Sequence, residues 1–337
     1  MGETTDLDLW TTSPAISLRV RDGFQLESVD RAATVGWPGS KKEGNKARKE
    51  RGDLLDELQE RLIAEARSGQ KRRVLLVLQG MDTAGKGSLI NKVAGMVDPQ
   101  GVEISSFGVP TQEEASHDFL WRIEKRLPKP GMIGIFDRSH YEDVLVQKVE
   151  NLAPPEEIER RYGAINDFEK SLVDDGVTVI KIALLISYQE QGYRLLRRLA
   201  RRDKHWKYSP SDVATREKWS AYDAAYQAMF ERTSTDYAPW YAVPADNKWY
   251  ARLAVTEILT QKLAKMAPRW PEMDWDVEAE AKKVLETIPA IAAQAAQKPL
   301  EKQAAKVAEE SKIYREAVFD AVRDDATRDG GDRVANV

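Results

Sequence analysis

Three observations predict an α/β fold, a parallel sheet covered by helices. Short apolar runs recur at residues 74–79, 131–136, 177–186 and 240–243, as expected of strands buried on both faces. Helical periodicity lies between them, and alternating strand and helix is the pattern of a parallel sheet. The first run leads straight into Gly80-Met81-Asp82-Thr83-Ala84-Gly85-Lys86-Gly87-Ser88. Beyond it Leu89, Ile90, Val93 and Val97 follow at helical spacing, so a glycine loop joins a buried strand to a helix.

In chain order, residues 1 to about 40 lack periodicity and carry Thr, Ser, Pro and Gly, which reads as an arm, mobile or packed on a neighbour. From Lys46 the pattern is helical, with Leu54, Leu55, Leu58, Leu62 and Ile63 on one stripe until Ser68-Gly69 stops it. These first 70 residues form an arm and helix ahead of a core spanning 71–267. In that core Val102-Glu103-Ile104 reads as a strand and 112–126 as a helix, and strands follow at 131–136, 177–186 and 240–243. A charged, aromatic, helical insertion at 188–236 follows a strand's carboxyl end, where a lid excluding water belongs. Its Trp206, Tyr208, Trp219, Tyr222 and Tyr226 read as packing residues, with stacking on a base as the alternative. Residues 268–337 read as a helical tail that docks on the body or on a neighbouring subunit. Alanine and charge predominate there from Val277 to Lys306, and the end, with Gly330-Gly331, reads as frayed.

The loop's chemistry is that of phosphate binding. Gly80 and Gly85 let the backbone turn its amides toward one point, with Met81, Thr83, Ala84, Gly87 and Ser88 completing the cradle. The helix N-terminus adds partial positive charge and Lys86 a full one. Gly87 stands where such P-loops carry a metal-holding hydroxyl, so another group must hold the metal. Asp82 fits if a divalent cation separates it from phosphate, since Mg²⁺ is bound by one or two carboxylates plus phosphate oxygens and waters; its competing use is a turn or cap. Asp137 ends the 131–136 run, at the sheet edge where α/β proteins bind ligands, and suits the second metal acid. Arg138 offers a planar fork to phosphate, in competition with ion pairs to Glu142 or Asp143. Arg194 and Arg198, four apart on one helix face, can clamp phosphates or form a solvated surface.

Composition narrows the function class. The chain has 337 residues, 51 basic and 55 acidic, and net charge −4, which argues against a general nucleic-acid binder. Basic clusters at 41–51, 71–73 and 194–207 can line a track for a polyanion. With no cysteine and three histidines, neither a thiolate site nor a His-rich metal centre is available. No leader and no apolar span of about eighteen residues is evident, so no membrane partner is expected and the cytoplasm is the expected location. His140 lies beside Asp137 but reads as a supporting hydrogen bonder rather than a phosphate carrier.

Together the motifs resemble the second family of polyphosphate kinases. The resemblance rests on 80–88, Pro99-Gln100-Gly101, Pro110-Thr111 through Glu113, the run 117–122 from His117-Asp118 to Trp121-Arg122, and the run 136–145. It continues in the same order through Glu190-Gln191, Arg194, Arg198, Trp206-Lys207, Thr233-Ser234-Thr235, Ala238-Pro239-Trp240, and Pro244-Ala245-Asp246 with Lys248, covering roughly 50 to 267. The resemblance implies a thymidylate-kinase-like, three-layer P-loop fold. It also implies reversible phosphoryl transfer between inorganic polyphosphate and nucleoside mono- or diphosphates, with Mg²⁺, or Mn²⁺ in its place. By it, Asp82 and Asp137 hold the metal, and Lys86, Arg138, Arg194 and Arg198 are catalytic phosphate contacts. His117, Asp118 and Arg122 lie near the nucleotide, AMP and ADP are both acceptors, and a homo-oligomer is expected. Two rivals share these features: an ATP-dependent nucleoside monophosphate kinase, and a non-enzymatic scaffold that binds polyphosphate or RNA.

Overall fold

The computed structural model describes residues 9–329. All five expected strands are present: β1 (Arg73–Gln79), β2 (Val102–Ser106), β3 (Ile133–Asp137), β4 (Val177–Leu185) and β5 (Trp240–Pro244). They form one sheet in the order β2-β3-β1-β4-β5, and every neighbouring pair is parallel. The principal helices are α1 (Lys41–Arg67), α2 (Lys86–Val93), α3 (Pro155–Asp174), α4 (Tyr188–Leu199), α5 (Trp219–Thr233), α6 (Lys248–Met266), α7 (Val277–Glu286) and α8 (Ala290–Asp329). Side chains of a strand alternate between faces, and β1 shows what that does. Val74, Leu76 and Leu78 pack into a core with Leu55, Leu58 and Leu62 of α1 and Val255 and Ile258 of α6. Leu75 and Val77 pack on the opposite side with Ile165 and Phe168 of α3 and Met229 and Phe230 of α5. The result is the three-layer α/β/α arrangement, with β1 at its centre.

Three local expectations need correction. Helix α1 starts at Lys41 rather than Lys46, because Ser40 and Glu43 form a capping box: Ser40 Oγ accepts from the Glu43 amide and Glu43 Oε2 from the Ser40 amide. The helix expected over 112–126 is two short ones, Gln112–Ala115 and Trp121–Glu124, because Asp118 Oδ1 accepts from the Leu120 amide and starts the second afresh. The described part of the N-terminal arm packs on its own body. The Val20 amide donates to Trp240 O and the Ala242 amide to Leu18 O, both at 2.9 Å, so this segment covers the edge strand β5.

Within 188–236, α5 belongs to the body: its Tyr222, Tyr226, Met229 and Phe230 are buried. What projects over the sheet's carboxyl edge is α4, the turn Arg202–Lys207 and the short helix Ser211–Glu217. The tail docks through α8, where Tyr314 is buried, donates to Pro268 O at 2.5 Å and receives the Arg61 guanidinium 3.6 Å from its ring centre. Residues 1–8 and the Gly330-Gly331 end lie outside the described residues.

Candidate active site

The glycine loop leaves β1 at the centre of the sheet's carboxyl edge and ends as the cap of α2. Its backbone needs left-handed conformations: Gly80 has φ 156° and Gly85 φ 115°, and a Cβ at Gly80 would come within 2.8 Å of Leu184 O. Thr83 adopts φ 66° without being glycine, a strained choice for an L-residue. Gly85 caps α2 without a side-chain hydrogen bond, so among the described residues no side chain caps the helix's first amides. Lys86 is buried, with Nζ donating to Gly80 O at 2.6 Å. Burial lowers its pKa and the nearby Arg138 lowers it further, while Asp82, Asp137 and Glu142 oppose both.

Strand register brings in the second acid. Leu78 pairs with Asp137, so this carboxylate emerges directly beside the start of the loop. Arg138, at φ 65°, turns back so that its guanidinium donates to Asp82 Oδ1 at 3.1 Å. The expected competing pairs with Glu142 or Asp143 are not formed; the partner is Asp82. Burial disfavours the Arg138 charge, but Glu142, Asp82 and Asp137 outweigh it and its pKa rises. The Asp137 carboxylate has no hydrogen bond or ion pair among the described residues.

These donors can be tested against a divalent cation. No group of three or more His, Cys, Asp or Glu is placed for a metal among the described residues. Two carboxylates, Asp82 and Asp137, line one cleft with the loop. A pair of acids cannot replace the hydration of Zn²⁺ or Ca²⁺ by itself, but it fits Mg²⁺, whose remaining ligands are waters and substrate phosphates.

The cleft encloses about 870 Å³, with the loop and Asp137 as its floor and α4 with the turn beyond it as a wall of Arg and Lys. Arg198 lines it, spending Nη1 on Lys207 O at 2.9 Å. Arg194 behaves differently from its expected role. Its side chain is 3% exposed, and the guanidinium donates to Glu190 Oε1, Thr83 O, Ala84 O, Ala245 O and Asp246 O. A guanidinium has five N–H donors, so none remains for a phosphate. Sequence reasoning matched Gln191 only by resemblance and gave it no role, whereas it is buried and donates to Asp82 O at 3.1 Å; it passed over Arg252, which donates to Ser88 Oγ at 2.7 Å. The spacing of Gln191 and Arg194 on one helix face was the available signal.

The tentative nucleotide residues are not brought to this cleft. Arg122 is buried, donating to Gly108 O at 2.9 Å and lying 3.6 Å from Asp143. Asp118 pairs with Arg160 at 3.2 Å, and His117 stacks on Trp121 with ring centres 4.1 Å apart. Each of these side chains is engaged by a residue other than those lining the loop: Arg122 by Asp143, Asp118 by Arg160 and His117 by Trp121. His140 is fully buried, 3.3 Å from Glu169, and burial lowers its pKa. Of the aromatics in 188–236, Tyr222 and Tyr226 are core residues and Trp206 is exposed.

Comparison with known proteins agrees with this geometry. The family model for polyphosphate kinase 2 (PPK2) matches residues 39–271. The chain is 42% identical over 249 residues to an AMP/ADP-polyphosphate phosphotransferase of Meiothermus ruber, covering 74% of this chain and 92% of that one. It is 36% identical to an ADP-polyphosphate phosphotransferase of Rhodopseudomonas palustris, covering 65% and 79% respectively. The crystal structure of polyphosphate kinase 2 from Arthrobacter aurescens superposes with TM-score 0.81 at 50% identity, covering 82% of this chain and 98% of that one. With the loop, the strand-end acid and the sheet order all in place, the chain belongs to the polyphosphate kinase 2 family.

Proposed function

We propose that this chain transfers a terminal phosphoryl group, reversibly and in line, between inorganic polyphosphate and a nucleotide, with AMP and ADP as acceptors. The observation that carries the reading is the meeting, at one sheet edge, of a phosphate loop, two carboxylates and a cationic wall in a chain of net charge −4. Such a cleft concentrates a polyanion. The acceptor assignment rests on the sequence around 99–101 and 117–122 and on the acceptors named for the Meiothermus ruber relative.

The roles follow from position. Loop amides and Lys86 hold phosphates at the α2 N-terminus. Arg138 and Arg198 supply planar forks to the transferred group, whose charge spreads over its oxygens. Asp82 and Asp137 would hold Mg²⁺, which would neutralise charge on phosphate oxygens. No protein nucleophile is needed, because this transfer depends on positioning and charge neutralisation. Reversibility follows from chemistry, since the bond broken and the bond formed are both phosphoanhydrides. Closure of the segment after α4 would exclude water, whose attack on the donor is the competing reaction.

The test is product analysis with purified protein, Mg²⁺, long-chain polyphosphate and either AMP or ADP, without ATP. Formation of ADP or ATP supports the reading, and its absence overturns it. Turnover of AMP only when ATP is added identifies a nucleoside monophosphate kinase. Polyphosphate binding that survives Lys86→Met and Asp137→Asn, with no turnover in wild type, identifies a scaffold. A cytoplasmic location and a homo-oligomer complete the proposal. The second is supported by the exposed Val277, Val284, Ile291 and Leu300 of the tail and is read by light scattering in solution. Among the described residues no helix is long and apolar enough to cross a membrane.

A further inference from the structure

We infer that Arg194, on the α4 wall of the cleft, is a positioning residue that holds the phosphate loop in its anion-binding form through the loop's carbonyls; this rests on the phosphotransferase reading of the cleft. The evidence lies in how its donors are distributed. Nη1 donates to Thr83 O and Ala84 O, each at 2.9 Å, and Nη2 to Ala245 O at 2.6 Å and Asp246 O at 2.9 Å. Nε donates to Glu190 Oε1 at 2.8 Å, one turn back on the same helix. Gln191 adds Asp82 O at 3.1 Å and is itself held by Arg216 at 2.9 Å. Helix α4 thus binds three consecutive carbonyls of the loop, at 82, 83 and 84.

The consequence follows from peptide geometry. In a planar trans peptide the C=O of one residue and the N–H of the next point in opposite directions. Carbonyls 82 and 84 drawn toward α4 therefore aim the N–H groups of Thr83 and Gly85 the other way, toward the cleft these two residues line. The Ala84 amide is not available, since it closes a turn on Met81 O. Thr83 keeps its left-handed conformation, φ 66°, because its carbonyl is bound there. Arg194 also ties the loop to the turn after β5, and Asp246 Oδ1 in turn accepts from the Ser187 amide at the α4 cap. Three chain segments distant in sequence are locked at one buried guanidinium. Lysine cannot substitute, because a single ammonium cannot span carbonyls on both segments.

The experiment compares full-length wild type with Arg194→Ala, Arg194→Gln and Arg194→Lys. Affinity for tripolyphosphate is measured by calorimetry, KM for polyphosphate and for nucleotide separately, and folding by thermal melting. We expect kcat/KM to fall on the order of a hundredfold, the cost of a displaced reacting group. The loss should appear in the KM of one substrate, the one whose phosphates lie on the loop, and in tripolyphosphate affinity. Millimolar guanidinium should restore part of the Arg194→Ala activity and none should be gained by wild type. Arg194→Lys should resemble Arg194→Ala. If Arg194→Ala does not fold, the Gln and Lys variants carry the comparison. Unchanged KM values and tripolyphosphate affinity, with kcat reduced only as the folded fraction, would overturn the inference. Wild-type rates in Arg194→Lys would do the same. Tripolyphosphate binding separates this outcome from failure of the transfer reaction itself, which would appear in wild type.

Discussion

Asp82 Oδ1 lies 3.1 Å from the Arg138 guanidinium, so the loop's own acid and the arginine that follows β3 are ion-pair partners across the cleft floor. The Asp137 carboxylate, one residue before that arginine, has no such partner among the described residues. The contrast separates two substitutions. Asp137→Asn keeps shape, removes a charged oxygen and breaks no intramolecular bond, so melting should be unchanged while Mg²⁺-dependent turnover falls by about a hundredfold or more, the scale of losing an electrostatic transition-state contact. Asp82→Asn should lower turnover comparably and in addition release Arg138. Turnover is followed across a Mg²⁺ titration beside a thermal melt. Near-normal rates at all Mg²⁺ concentrations exclude the metal role, and loss of stability alone returns Asp82 to a turn residue.

Arg198 and Arg201 both line the cleft and differ in commitment. Arg198 is anchored on Lys207 O, its side chain 25% exposed, whereas Arg201 is 61% exposed and pairs with its near neighbour Asp203. Arg198→Lys preserves charge but loses the fork, and should cost on the order of 2 to 4 kcal/mol in transition-state stabilisation. Arg201→Lys should stay within about 0.5 kcal/mol in stability, as surface changes do, with little effect on rate. Steady-state rates of the two variants decide the matter. Equal, wild-type rates would remove Arg198 from the phosphate contacts and return it to a solvated position.

The core of the site was readable because its signals are local. A buried apolar run, glycines that permit positive φ and an acid at a strand's end each declare themselves within a few residues, so β1, the loop and Asp137 were found. Arg194 and Arg198 look alike in sequence, four apart on one helix. Their fates differ because Arg194 faces carbonyls from Thr83, Ala84, Ala245 and Asp246, and no local pattern says that those segments converge. The arm resisted for a related reason. Leu18 and Val20 bind β5 through a few backbone bonds, with no repeating period to read. The start of α1 was different: Ser40 and Glu43 carried a capping box in plain view.

Asp143 predicts a pH dependence of stability. Burial raises its pKa to about 6, against the pull of Arg122 and Arg161, whose nitrogens are 3.6 and 3.7 Å away. A carboxyl whose folded pKa is raised stabilises the fold fully below its unfolded value near 3.8, and that contribution is lost as pH rises through about 6. Asp143→Asn does not titrate. Relative to it, wild type should lose about 2 to 3 kcal/mol between pH 4 and pH 7, from 1.36 kcal/mol per unit. Denaturant unfolding of both proteins across this range measures it. A flat or opposite difference would show that the two arginines keep Asp143 ionised.

Lys248 predicts a pH dependence of substrate binding on the alkaline side. Desolvation at the cleft wall lowers its pKa to about 8, and Arg194, Arg197 and Arg252 reinforce the shift against the single opposing charge of Glu190. The ammonium is therefore partly lost just above neutrality, and each lost charge weakens attraction for a polyanion. A bound phosphate chain favours the charged form, so binding takes up a proton above pH 8 and affinity falls as pH rises through that value. The polyphosphate KM of wild type, measured at fixed ionic strength because screening changes such attractions, should rise across a bend near pH 8. Arg remains charged throughout the range. Lys248→Arg should therefore lose the bend, while Lys248→Gln should show the weakened KM at every pH and no bend. The same bend in all three proteins would assign the titration to another group and remove Lys248 from the polyphosphate contacts.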